Sequence, residues 1–221
     1  MAHIVGADAV CPGPLDLALL IDSSGSLTET QDLWEEMKNF LKSLLLKFRI
    51  DGQLVRVGIV MFSNIATEHL DFNLGSSLSG ALIAVDNMPY MGSTTNFAGG
   101  LNSVEDWLFS TRQGDRADVF DAVLLVTDGE ANERALETMS AAARVRRHAQ
   151  IVSVGVGSRV NGDELAMISQ EARNVFLVSS FAHLLTMDTS NDIAERLCGQ
   201  PLYIVPPTPI LGFIIKMLTK S

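Results

Sequence analysis

The sequence is short of positive charge: 16 Lys and Arg stand against 26 Asp and Glu in 221 residues, a formal net charge of −10. That argues against nucleic acid as a partner, because binding phosphates takes clustered basic side chains. An acidic surface suits cations, basic proteins or simple solubility. Long apolar runs are missing too. The apolar segment Ile210 to Ile215 is far shorter than the roughly 20 residues of a membrane-spanning helix. Met1 to Val10 has neither a basic stretch nor an apolar run of signal-peptide type, so the expectation is a removed leader or a chain that begins inside a longer protein. No N-x-S/T sequon occurs, so glycosylation says nothing about compartment.

Familiar catalytic signatures are equally scarce. There is no Walker A sequence and no G-x-S-x-G elbow, although Gly75-Ser76-Ser77 has a superficial likeness to one. His3, His69, His148 and His183 are scattered without zinc spacing. Gly155-Val156-Gly157 is followed by Val160 where a dinucleotide fingerprint needs its third glycine, and reads as a place of close backbone packing. Trp34 and Trp107 fall on helical segments and read as packing residues. Arg144, Arg146 and Arg147 end a helix, where cations suit the dipole.

Only two cysteines are present, Cys11 and Cys198, bracketing nearly everything that looks folded. They are either two buried thiols or one disulfide, and the second alternative implies an oxidising compartment.

Between the cysteines, apolar runs alternate with helical patterns. Leu15 to Ile21, Val55 to Phe62, Val119 to Thr127 and Ile151 to Val156 read as strands covered on both faces. Thr67 to Phe72 is more polar and fits an edge strand, and Val175 to Val178 is a short one. Leu33, Met37, Leu41, Leu44 and Phe48 share one helix face. Further helices are expected over Ser77 to Asn87, Phe97 to Phe109, Asn132 to Arg147, Asp163 to Glu171 and Phe181 to Leu197. This alternation predicts a doubly wound, mostly parallel sheet with one antiparallel edge strand and helices on both faces. Residues 1–14 form an N-terminal extension, 15–198 the domain, and 199–221 a tail broken by Pro201, Pro206, Pro207 and Pro209.

Ligands of such sheets bind outside the carboxyl ends of the strands. Three oxygen-rich segments fall there: Asp22-Ser23-Ser24-Gly25-Ser26, Gly92-Ser93-Thr94-Thr95-Asn96 and Thr127-Asp128-Gly129. Each has an ordinary structural use. Ser26 with Glu29, or Thr28 with Gln31, makes a capping box, and Asp128-Gly129 makes a turn. Jointly, two carboxylates with several hydroxyls make a hard-oxygen site that suits Mg²⁺, with Mn²⁺ or Ca²⁺ as alternatives.

Asp22-x-Ser24-x-Ser26, then Gly92-x-Thr94, then Thr127-Asp128-Gly129 resembles the complete metal-ion-dependent adhesion site of von Willebrand factor type A domains and integrin inserted domains. The resemblance runs from about Leu15 to Cys198. It implies a Rossmann-like fold and a Mg²⁺ ion held by Asp22, Ser24, Ser26, Thr94 and Asp128, some through water. It further implies that an acidic residue of a protein ligand completes the ion, in an extracellular adhesion or matrix module. The rivals are an intracellular scaffold domain of a larger complex, which an intact disulfide would disfavour, and a metal-assisted hydrolase, for which no convincing general base is visible. Ser158 to Gly162 leaves no room for the extra helix of collagen-binding integrin domains. In inserted domains displacement of the last helix is linked to affinity at the metal, so a Cys11–Cys198 bond would tether that helix here.

Overall fold

The computed structural model describes residues 11–25, 31–131 and 134–199. Six strands form one sheet in the order β3-β2-β1-β4-β5-β6. They are β1 (Leu15–Asp22), β2 (Val55–Phe62), β3 (Ala66–Leu70), β4 (Phe120–Thr127), β5 (Ala149–Val156) and β6 (Val175–Val178). All neighbours pair parallel except β3, which runs antiparallel to β2 at the edge. The expected architecture is the observed one.

Every residue of β1 is buried, as its unbroken apolar run requires of a strand covered on both faces. Alternate side chains then divide two cores. Leu15, Leu17, Leu19 and Ile21 enter one with α1 (Gln31–Leu45), α2 (Leu78–Asp86), α6 (Phe181–Leu184) and α7 (Met187–Leu197). Ala18 and Leu20 enter the other with α3 (Phe97–Ser103), α4 (Ala135–Val145) and α5 (Gly162–Ser169). Helix starts follow from short polar side chains: Ser77, Asn96 and Asn161 each accept from the backbone N–H three residues on, satisfying an otherwise orphaned donor.

Two expected helices differ in detail. Phe97 to Phe109 is α-helical only to Ser103 and continues as a π-helical turn over Val104–Leu108. The turn keeps both Val104 and Leu108 in the core, and Leu108 lies where a side chain at Gly58 would collide with it. The last helix is split at Leu185 and Thr186. Thr186 is extended, and its hydroxyl donates to the His183 carbonyl and lies in hydrogen-bond contact with the Thr189 hydroxyl, so local side-chain bonds replace a continuous ladder. Helix α4 begins at Ala135 rather than Asn132, and residues 132–133 lie outside the described residues. So do residues 1–10 of the expected extension and 200–221 of the expected tail.

Cys11 and Cys198 form a disulfide, which joins the segment before β1 to the end of α7. The two tryptophans pack as expected, Trp34 in the first core and Trp107 against the second. The arginines at the end of α4 are engaged individually. Arg144 pairs with Asp106, Arg146 donates to the carbonyls of Met167 and Ile168, and Arg147 pairs with Glu105. No helix among the described residues is long and apolar enough to cross a membrane.

Candidate metal centre

Strands β1 and β4 lie side by side, in register from Leu15 with Phe120 to Ile21 with Val126. Their carboxyl ends therefore arrive together, with Asp22 beside Thr127 and Asp128 one residue further on. Asp22 is completely buried. Its Oδ2 accepts from the Thr127 hydroxyl at 2.6 Å and its Oδ1 from the Ser24 backbone N–H at 2.9 Å. Burial pushes the Asp22 carboxyl up to about 6; the bonds from Thr127 and Ser24 oppose the rise, and the nearby Asp128 charge adds to it.

The turn after β1 is laced to the loop before α3. Ser23 Oγ accepts from Met91 N–H at 2.8 Å, and the Ser23 carbonyl from Gly92 N–H at 2.9 Å. Gly25 N–H donates to the Ser93 carbonyl at 2.7 Å, and the Tyr90 hydroxyl to the Ser24 carbonyl at 2.9 Å. The loop reverses through left-handed backbone at Gly92 and Ser93. Its far end is held by Asn96, which caps α3 and donates to the Asn64 carbonyl. Thr94 lies in this laced loop, half-buried, while Ser24 and Asp128 are buried. Four of the five expected ligand residues thus fall on elements that meet at one edge of the sheet. The fifth, Ser26, lies outside the described residues.

One charged neighbour was not expected from the sequence. Arg159, in the loop after β5, donates to Asp128 Oδ2 at 3.2 Å. Nothing near Arg159 marks it in the sequence, but the strand order does: β5 neighbours β4, so the loops at their carboxyl ends adjoin. A second carboxylate group, Asp16, Asp115 and Asp121, also escaped notice. It belongs to the other end of the sheet. Asp16 stands six positions before Asp22 along β1, roughly 20 Å at the usual strand rise.

The upper donor set is carboxylate and hydroxyl oxygen with no thiol or imidazole, which fits a hard divalent cation. Asp22 is held in place by Thr127 and Ser24, as metal-binding carboxylates are when outer hydrogen bonds orient them.

A doubly wound sheet whose carboxyl edge gathers such oxygens defines a class, the α/β domains that bind at strand ends. Within it, residues 16–190 match the von Willebrand factor type A domain, and the chain belongs to that family. It is 34% identical over 186 residues to the human collagen alpha-6(VI) chain, and 33% identical over 185 residues to the mouse collagen alpha-5(VI) chain. Each alignment covers 83% of this chain but only 8% and 7% of those relatives, so the chain spans under a tenth of their length. Among solved structures, proximal thread matrix protein 1 of the mussel byssus with a zinc-occupied MIDAS motif is 26% identical, with a TM-score of 0.77. That match covers 87% of this chain and 47% of the mussel protein. A von Willebrand factor type A structure from Catenulispora acidiphila shares the fold at 16% identity, with a TM-score of 0.69 over 85% of this chain and 43% of that one.

Proposed function

We propose that this domain is an extracellular matrix-binding module that holds a divalent cation and presents it to an acidic residue of a protein ligand. Asp22, Ser24, Ser26, Thr94 and Asp128 would hold the ion, and Mg²⁺ is the ion their chemistry favours, with Mn²⁺ and Ca²⁺ as alternatives. The observation that carries the reading is the buried Asp22 carboxylate, fixed between Thr127 and the Ser24 backbone where oxygen-rich loops meet. When bound, the ion supplies an electrophilic position for a ligand carboxylate. The chain's own residues orient its donors: Thr127 aims Asp22, and the Ser23–Gly25 to Met91–Ser93 lacing sets the two loops against each other. The matrix relatives, the mussel protein's occupied motif and the disulfide support an extracellular setting over an intracellular scaffold.

Calorimetric titration with Mg²⁺ is the direct test. One site is expected in the wild type, and Asp22→Ala or Asp128→Ala should each weaken it at least tenfold, the size of effect expected on losing even a supporting partner. Unchanged affinity in both variants would remove the assignment. Capture of matrix proteins should be lost in EDTA, and capture at full strength in chelator would mean that another surface binds.

A further inference from the structure

The opposite end of the sheet carries its own chemistry. Asp16 is the second residue of β1 and Asp121 the second of β4, and the two are partners in register. Side chains paired in this way on parallel strands share a face. Asp115, in the segment leading into β4, completes the group, and one carboxylate oxygen of each lies within 4.8 Å of the others. Of the three, Arg116 hydrogen-bonds to Asp16, and its charge also favours the ionised forms of Asp115 and Asp121. Its Nε and Nη2 reach Asp16 Oδ1 at 3.0 and 2.8 Å, and its backbone N–H reaches Oδ2 at 3.0 Å. Asp115 Oδ1 and Asp121 Oδ1 are buried with no hydrogen-bond partner. Asp121 as a whole is only 8% exposed. His148 Nδ1 stands 3.7 Å from Asp121 Oδ2, beyond hydrogen-bond range, while its Nε2 faces Glu105 at 2.9 Å.

Three carboxyl groups face one guanidinium; burial and the charges of Asp115 and Asp16 push Asp121 up to about 8, and ionising it leaves two negative charges on a largely buried group. Such charges are costly without a counter-charge, and orphaned carboxylate oxygens add the loss of their hydration. A divalent cation supplies both the charge and the missing partner. Ca²⁺ binds oxygens at about 2.3–2.6 Å in flexible geometry, so ligands around one ion lie up to about 5 Å apart, which this spacing meets. Asp16 accepts three hydrogens from Arg116, that of Nε shared between its two oxygens, so one of a carboxylate's roughly four lone-pair sites remains. We propose that Asp16, Asp115 and Asp121 form a second divalent-cation site, suited to Ca²⁺, at the amino ends of β1 and β4. It would pin the segment before β4 to the sheet, and it stands independently of the metal centre at the other edge.

The test uses the Asp22→Ala/Asp128→Ala double variant, stripped with chelator, so that the upper site is silent. Titration with CaCl₂ at neutral pH should show one equivalent, with a dissociation constant of about 0.1–1 mM as in extracellular calcium modules. Addition of 10 mM CaCl₂ should raise the melting temperature. Asp115→Asn and Asp121→Asn in that background should each weaken binding at least tenfold. No saturable heat and no melting shift would overturn the proposal, as would the same affinity in both Asn variants. If Asp121→Asn melts higher than its parent while neither binds calcium, a proton rather than a cation neutralises the group, and the proposal falls. If the double variant does not fold, Asp115→Asn alone should remove one calcium equivalent from the wild-type protein; removal of none overturns the site.

Discussion

One hydroxyl governs how readily Asp22 can act as a charged ligand. Thr127 Oγ1 donates to it at 2.6 Å and offsets part of the burial that raises its carboxyl to about 6. Replacing that hydroxyl by a methyl, Thr127→Val, removes a bond to a charged group, and such a bond contributes roughly 1.5–3 kcal/mol. Mg²⁺ affinity near pH 7 should fall about tenfold or more, read by calorimetry, with little change in fold because the side chain keeps its volume. The ion needs the ionised carboxylate, so wild-type affinity should hold above pH 6 and fall below it by about tenfold per pH unit. A flat profile down to pH 5 would mean that Asp22 does not bind the metal. Arg159 acts in the other direction. Its guanidinium occupies Asp128 Oδ2, half-exposed and open to solvent screening, so Arg159→Ala should tighten Mg²⁺ by roughly twofold to fivefold, the size of an exposed ion pair. At this scale the sequence contains the candidate ligand types but not their neighbours. Asp22, Ser24, Thr94 and Asp128 stand in short local motifs. Arg159 and the Asp16, Asp115 and Asp121 group owe their positions to strand order, which no local window contains.

Among the elements, β5 bears out the reading of its glycines as a place of close backbone packing. Gly155-Val156-Gly157 has the look of a nucleotide loop, yet its glycines serve packing and a turn. A Cβ at Gly155 would sit 2.6 Å from a Val160 methyl and 2.9 Å from Leu177, and Gly157 takes a left-handed φ of +90°. Gly155→Ala should therefore overpack the α5 side of the sheet and destabilise by about 1–3 kcal/mol. At roughly 2–4 °C per kcal/mol for a domain of this size, the melting temperature should drop by about 2–12 °C, with Mg²⁺ affinity unchanged. An unchanged melting point would show that Val160 and Leu177 move aside freely. The strands were legible because a doubly covered strand leaves a continuous apolar run, as β1, β4 and β5 do. The helices were legible from their apolar spacing, but their interruptions were not. The π-helical turn at Val104–Leu108 depends on the room left by Gly58 in a distant strand, and the break at Thr186 on hydroxyl bonds that compete with the ladder.

For the whole molecule, buried acids at both ends of the sheet set the response to pH, and the disulfide sets the response to heat. Asp22 is raised to about 6 by burial, and Asp121 to about 8 by burial and by the charges of Asp115 and Asp16. Both carboxyls hold their protons more tightly folded than unfolded. Their contribution is fully present below the unfolded value near 3.8 and is lost as pH rises through 6 and then 8. In EDTA, stability should therefore decline from pH 5 to pH 9, and Asp121→Asn should flatten the upper part of that decline. The disulfide acts on a different quantity. Cys11 and Cys198 are 187 residues apart in sequence and 5.1 Å apart between Cα atoms, so the bond closes the whole domain into one loop. On the loop-entropy account such closure contributes roughly 4–5 kcal/mol. Cys198→Ser should then lower the melting temperature by on the order of 10 °C. The bond also ends α7, whose Ile193, Ala194 and Leu197 pack in the same core as β1. A helix anchored there resists displacement along its axis. A ligand shifts a conformational equilibrium only by its differential affinity for the two states, and a tether that penalises the displaced state reduces that shift. Partner affinity should accordingly be fixed in the oxidised protein, and amide exchange in α7 should quicken in Cys198→Ser together with a change in partner affinity. A lower melting point with the same affinity and unaltered exchange in α7 would reduce the disulfide to a staple of the fold.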